Sequence, residues 1–239
     1  MKVVITMSKI HLLGTSHISA DSVKKIKTLI PQINPDFICV ELDQQRVQAL
    51  LSNQKPSYSP LLIRQIGLFG YIFAVLGGTV QRYLGKKYGL KPGSDMKATV
   101  VTGSQLAIKV ALIDQPISIT LRKLSKTFTI REFFRIGGEI FGGLFMPKRK
   151  IKQIGFSSID ISQVPPTHVL VKLISYVKKR YPSIYSVLIH ERNIYMSKRI
   201  KLLIDTHQPE DIFVVVGAGH VPGMKEILKD HEIIDYTDA

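Results

Sequence analysis

The stretch Ile212–His220 (IFVVVGAGH) is an apolar run that ends in a glycine-rich turn and a histidine. Near the start of the chain, the run Ile10–Leu13 leads in the same way into Gly14–His17 (GTSH). Short apolar runs bounded by turn residues are typical of strands buried on both faces of a parallel sheet. In one parallel sheet, His17 and His220 would leave the same carboxyl edge, where open α/β sheets place their ligand sites.

Two further apolar runs end in carboxylates. Asp36–Val40 precedes Glu41, and Val110–Ile113 precedes Asp114. Together with the two histidines, these side chains would bring two nitrogen and two oxygen groups to one edge. Such a set suits either metal binding or proton transfer.

Each of these features also has a structural interpretation. A glycine before a polar side chain at a strand end is ordinary turn and helix-capping chemistry, with Thr15 as one candidate cap. Glu41 and Arg46 lie just over one helical turn apart and are candidates for an ion pair. One interpretation is a structural ion pair that orders the strand-to-helix turn. The other is that Arg46 binds substrate.

The order of elements predicts an α/β fold. Ser19–Ile33 has apolar residues at three- and four-residue steps, which indicates an amphipathic helix between the first two strands. A strand, helix and strand within about 35 residues is the size of a βαβ unit, whose strands are parallel. We expect one domain over residues 1–239, with a central, mainly parallel sheet flanked by helices and a mostly helical basic insertion at about 55–160.

The positive charge of the chain is concentrated in this insertion. Residues 55–152 contain 17 Lys or Arg and 4 Asp or Glu, whereas the formal net charge of all 239 residues is +15. Such a segment suits an anionic lipid surface. No zinc-knuckle spacing or alternation of aromatic and basic residues accompanies it, which argues against a nucleic-acid partner.

The cysteine content and the amino-terminal residues both suit a cytoplasmic protein. Cys39 is the only cysteine, so no intrachain disulfide is possible. Met1–Lys9 lacks the apolar core of a secretory signal. We expect a cytoplasmic protein, peripheral at the membrane if it meets lipid at all.

The segment at 61–80 is apolar but is broken by four glycines and contains Arg64. Its length approaches that of a spanning helix. We favour a buried or oligomer-interface helix first, a membrane-surface helix second and a true span last. The first alternative predicts a homo-oligomer.

A long helical region at 184–204 contains Glu191 and Arg192. If this helix covers the sheet edge, both side chains would point towards the candidate site. Otherwise they belong to a solvent-exposed charged stripe.

The sequence resembles the TraB, pheromone-shutdown and Tiki family, and is most similar to its archaeal and bacterial TraB-like branch. The motifs that carry this resemblance run through nearly the whole chain in order: Gly14–His17, Val40–Asp43 with Arg46, Lys91–Met96, Ala111–Asp114 with Ile119–Arg122, Glu191–Arg192 with Tyr195–Met196, and Val216–His220.

The resemblance implies an erythromycin-esterase-like α/β fold and a metal-dependent peptidase site. By matching position, the implied metal ligands are His17, Glu41 and His220, with manganese or cobalt favoured and zinc as a further option. Bacterial members are associated with lowering peptide-pheromone activity. No His-Glu-x-x-His helix is present to indicate peptide hydrolysis independently.

These observations lead to one hypothesis and one rival. In the first, the divalent ion lowers the pKa of a bound water and polarises a carbonyl. The remaining roles are assigned as follows: proton transfer to Glu191 or Asp114, and substrate binding or charge stabilisation to Arg46, Arg122 and Arg192. In the rival, the protein is a non-catalytic module that captures peptides or binds a membrane surface, and the histidines need no metal.

Overall fold

All five strands of the protein run parallel in one sheet. The computed structural model describes residues 8–16, 20–52, 59–88, 93–145 and 166–237. The strands are β1 Lys9–Thr15, β2 Phe37–Val40, β3 Lys109–Leu112, β4 Asp211–Gly217 and β5 Glu232–Asp235. Their order across the sheet is β3-β2-β4-β1-β5, and every neighbouring pair is parallel. This confirms the α/β class predicted from the apolar runs.

Helices cover both faces of the sheet and form a further helical layer. They are α1 Ala20–Ile33, α2 Gln44–Leu51, α3 Leu62–Ile66, α4 Leu68–Tyr88, α5 Ser94–Gln105, α6 Ile117–Thr127, α7 Ile130–Phe145, α8 Thr167–Arg180, α9 Pro182–Tyr185, α10 Glu191–His207 and α11 Val221–Ile227. A π-helical turn, Ser186–His190, joins α9 to α10, and a 3₁₀ turn, Ala218–His220, joins β4 to α11.

The central strand β4 shows how the sheet is buried. Because successive side chains of a strand point to opposite faces, its residues divide between two cores. Phe213 and Val215 pack in a cluster with α1 and α5, whereas Val214 and Val216 pack with α10 and α11. All four side chains are fully buried, so the sheet is covered on both faces as a parallel sheet requires.

The helical layer has a small core of its own. Leu124, Phe128 and Val187 form this core, against which the rings of Phe69 and Phe73 pack edge-on to Phe128. It draws on α4, α6 and the π-helical turn. Helix α5 and strand β3 lie between α4 and α6 in sequence but belong to the sheet and its covering layer. The basic run at 148–152 lies outside the described residues.

The apolar segment at 61–80 forms two helices rather than one. Gly67, with φ of 77°, separates α3 from α4. Helix α4 packs very closely on α6 at Gly70. A Cβ atom at this position would lie 2.5 Å from the carbonyl oxygen of Leu121, so glycine permits the close approach. Among the helices described, none combines the length and apolarity that crossing a bilayer requires.

We expect the single thiol to be unreactive in the folded protein. Cys39 lies in β2, and its complete burial raises its pKa to about 12, with Arg199 opposing this only in part. Against an ordinary thiol, this pKa reduces the thiolate fraction near pH 8 by roughly a thousandfold. Reaction with a chromogenic disulfide should therefore be slow in buffer and fast in denaturant. Fast labelling of the folded chain would show that β2 opens locally.

Candidate functional site

The candidate site lies at the carboxyl edge of the sheet. Glu41 follows β2 directly, Asp114 stands two residues beyond β3, and His220 closes the 3₁₀ turn after β4. All three side chains are at most 6% exposed. His17, which the sequence places beyond β1 at the same edge, lies outside the described residues.

Arg192, in the first turn of α10, holds the two carboxylates together. Its Nε and Nη2 atoms donate to Asp114 Oδ1 and Oδ2 at 3.1 and 2.7 Å, in a bidentate pair. Nη2 also contacts Glu41 Oε1. Burial alone would lower the pKa of Arg192, but Glu41 and Asp114 outweigh it and raise this pKa above its usual value. The guanidinium is therefore a permanent charge at the centre of the site.

Glu41 is fixed from its other side by the backbone of β4. Its Oε2 atom accepts a hydrogen bond of 2.6 Å from the N–H of Gly217. The carboxylate thus links the end of β2 to the end of β4, immediately before the turn that carries His220.

The partners of His220 determine its tautomer. Arg192 Nη1 lies 3.0 Å from His220 Nε2, and because arginine only donates, Nε2 must accept. The other ring nitrogen, Nδ1, then carries the proton and donates to Asn193 Oδ1 at 2.6 Å. His220 is consequently a neutral imidazole whose Nε2 lies 3.3 Å from Glu41 Oε1.

Asn193 itself is held by close packing. A Cβ atom at Gly223 would lie 2.1 Å from Asn193 Nδ2, so only glycine leaves room for this amide. A side-chain oxygen that orients an imidazole through its Nδ1 proton is the arrangement usually found behind histidine metal ligands.

A second arginine extends the cluster towards solvent. Arg46 in α2 contacts Asp114 Oδ2, donates from Nε to Asp43 Oδ2 at 3.0 Å and donates from Nη2 to the carbonyl oxygen of Glu41 at 3.2 Å. The predicted Glu41–Arg46 contact therefore exists, but through the backbone of Glu41 rather than its carboxylate. Arg46 is 31% exposed and Arg192 only 13%.

Charge within the described cluster is slightly negative. The three carboxylates of Glu41, Asp43 and Asp114 face the two guanidinium groups of Arg46 and Arg192, while His220 is neutral. These side chains thus contribute three negative and two positive charges to the described part of the cluster.

Two residues predicted for the site make their contacts elsewhere. Glu191 Oε2 accepts from Lys123 Nζ at 2.6 Å, and its Oε1 accepts from the hydroxyl of Ser186. Arg122 is exposed on α6 and donates to the carbonyl oxygen of Gln65 at 2.8 Å. Neither contacts the cluster around Arg192.

Asn193 belongs to the cluster but was not predicted, although its position in the sequence indicated that it is buried. Asn193 stands three, four and seven positions before the buried residues Met196, Ser197 and Ile200, so it continues the buried stripe of α10. A polar side chain on such a stripe needs a hydrogen-bond partner, and here that partner is His220.

The described residues include two of the three predicted metal ligands, Glu41 and His220. Within them, no group of three or more His, Cys, Asp or Glu side chains is arranged to hold an ion. Glu41 and His220 are adjacent, and the third ligand predicted, His17, is not described. The nitrogen and oxygen donors that are present have the chemistry that manganese, cobalt and zinc accept.

These features define an α/β protein whose parallel sheet ends in a buried carboxylate, arginine and histidine cluster. A profile of the TraB/PrgY/gumN family matches residues 2–237, and the chain belongs to this family.

The chain is also similar to individual curated proteins. It is 32% identical over 225 residues to an uncharacterized protein of Methanocaldococcus jannaschii, covering 93% of this chain and 54% of that protein. It is 24% identical over 243 residues to a TraB domain-containing protein of Homo sapiens, covering 92% of this chain and 62% of that protein. The chain thus spans somewhat more than half the length of these relatives.

Proposed function

We propose that the protein is a metal-dependent hydrolase that acts on peptides at the carboxyl edge of its sheet. The ligands would be Glu41 and His220, with His17 as the third. The observation that carries the proposal is the neutral His220 ring, whose Nε2 atom lies 3.3 Å from Glu41 Oε1 while Asn193 fixes its tautomer.

The ion would supply Lewis acidity, which polarises a peptide carbonyl and makes water a stronger nucleophile near neutral pH. The protein supplies orientation. Asn193 keeps the proton on Nδ1 of His220, and Gly217 aligns Glu41 through its N–H. Two ligands on the ends of neighbouring buried strands are thereby oriented, and a bound cation would take the place of Arg192 at Nε2 of His220.

Arg46 and Arg192 suit the recognition of negative charge. Arg192 stays charged and buried, so it can stabilise charge that develops on a carbonyl oxygen. Arg46 is more exposed and can meet a substrate carboxylate. Asp114 accepts from both arginines and from the N–H of Gln115 at 2.8 Å, which suits positioning better than proton transfer.

Metal binding is the decisive first test. Chelator-stripped protein should bind manganese, cobalt or zinc stoichiometrically in calorimetry. His220→Ala removes a ligand and Glu41→Gln removes the charge of one, so each should weaken that binding by at least the roughly hundredfold that loss of an outer-shell partner can cost. His190→Ala is the matched control, since His190 is exposed at the end of the π-helical turn that precedes α10. If folded wild type binds none of the three ions, or if both site variants bind them normally, the metal mechanism fails.

A non-catalytic peptide-binding module is the second candidate. This candidate is favoured because Arg192 already pairs with both Glu41 and Asp114, so these carboxylates need no metal ion to balance their charge. In that case a peptide carboxylate would compete with Asp114 for the half-exposed Arg46. Peptide binding that survives chelation and His220→Ala but not Arg46→Ala would support this candidate over the hydrolase.

A further inference from the structure

A basic cleft lies between α3 and α6, and its volume is about 420 Å³. Arg64, Arg122 and Lys126 line it, together with the hydroxyl-bearing Ser125. Its lining contains no Asp or Glu, and none of the three cations forms an ion pair with a carboxylate of the described residues. Three uncompensated positive charges around one cleft favour an anionic ligand.

The cleft is built by close backbone packing rather than by flexible side chains alone. At Gly67, between α3 and α4, a Cβ atom would lie 2.1 Å from the hydroxyl oxygen of Ser125. Arg122 is anchored because its Nε atom donates to the carbonyl oxygen of Gln65 at 2.8 Å. This hydrogen bond therefore holds the guanidinium of Arg122 at the cleft.

Large apolar side chains stand beside these charges. Leu61, immediately before α3, is 71% exposed, and Leu68, the first residue of α4, is 56% exposed. Ile119 is 43% exposed and stands one helical turn before Arg122 on α6. Exposed leucines add nothing to the binding of a free ion in water, whereas they stabilise contact with the acyl region of a bilayer.

We propose that this cleft binds the phosphate headgroup of an anionic lipid while Leu61 and Leu68 enter the membrane interface. The site would hold the protein at a membrane surface through helices α3, α4 and α6. The inference does not depend on the hydrolase proposed above, because none of these side chains contacts the Arg192 cluster.

Vesicle co-sedimentation tests this inference. The protein should bind vesicles of phosphatidylcholine with phosphatidylglycerol and should leave vesicles of phosphatidylcholine alone in the supernatant. Arg122→Glu/Lys126→Glu should weaken binding by at least tenfold, since each charge near an anionic surface is worth about fivefold in affinity. Leu61→Ser/Leu68→Ser should weaken the binding that remains at high salt.

The matched control is Lys24→Glu/Lys27→Glu. It makes the same change in net charge on exposed positions of α1, which packs against α5 instead of the cleft. Circular dichroism of every variant confirms that it is folded. Equal losses in the cleft and control variants would overturn the proposal, because they would show attraction by net charge alone.

Two further binding experiments distinguish a lipid headgroup from other phosphate-containing ligands. Inorganic phosphate is titrated into wild type, and a single-stranded oligonucleotide is tested against the same variants. Tight binding of inorganic phosphate without vesicle binding would overturn the lipid assignment and leave a free-anion site. Oligonucleotide binding that is lost in Arg122→Glu/Lys126→Glu, without vesicle binding, would likewise overturn it in favour of nucleic acid.

Discussion

Replacing Arg192 by methionine is expected to lower the free energy of unfolding by about 3–5 kcal/mol, the usual cost of removing one partner from a buried ionic group. Glu41 and Asp114 are almost completely buried, and Arg192 is the cation that contacts both. Without it, two like charges would face each other in a poorly solvated edge of the sheet. Urea unfolding followed by circular dichroism measures the loss.

Arg199→Met is the control for this experiment. Arg199 is an exposed arginine on the same helix, and its loss should change the free energy of unfolding by no more than about 0.5 kcal/mol. Adding Glu41→Gln and Asp114→Asn to Arg192→Met should recover part of the stability, because neutral side chains remove the repulsion between the two buried carboxylates. Similar small losses in the two arginine variants would mean that water reaches the cluster in the folded protein.

The sheet and the position of the candidate site could be predicted from the sequence because the signal is local. A strand buried on both faces reads as an unbroken apolar run, and the residue that ends the run is necessarily at the strand end. The runs before Glu41 and His220 obey this rule, and the half-buried edge strand β3 gives a similar apolar run before Asp114. The site could therefore be predicted without knowing the strand order. The short edge strand β5, Glu232–Asp235, did not, because charged residues stand at both of its ends.

The ion pairs within the candidate site could not be predicted from local sequence patterns. Arg46 does contact the backbone of Glu41 and pairs with Asp43 nearby, but its pair with Asp114, which is 68 positions away in sequence, was not predicted. Such a contact depends on how β3 is placed beside β2, which no local pattern encodes. The partners in such long-range ion pairs are determined by the tertiary structure and not by sequence spacing.

Helix α5 illustrates competition between a local and a distant partner. Ser94 and Asp95 are residue types that often cap helices, yet Gly93 occupies the cap position with φ of 78° and no side-chain cap bond. Asp95 instead accepts a hydrogen bond of 2.5 Å from the hydroxyl of Thr15 at the end of β1. The carboxylate is completely buried, so a strong tertiary hydrogen bond replaces the cap that propensity alone would favour.

In the Arg192→Met variant, manganese is expected to restore most of the lost stability. This prediction rests on the hydrolase proposal. Removing the guanidinium frees the Nε2 lone pair of His220 and leaves Glu41 and Asp114 without their shared cation. A divalent ion that binds only the folded state at a hundred times its dissociation constant adds about 2.7 kcal/mol of stability. Urea unfolding with and without manganese measures the recovery.

The wild type should gain less from manganese than Arg192→Met does, because Arg192 already neutralises the two carboxylates and occupies Nε2 of His220. Arg192→Met/His220→Ala separates coordination from simple charge screening, since it keeps both carboxylates but removes the nitrogen ligand. If manganese stabilises this double variant as much as the single one, the ion only screens Glu41 and Asp114. If it stabilises neither variant, the arginine closes a purely structural cluster and the peptide-binding alternative is the better account of the site.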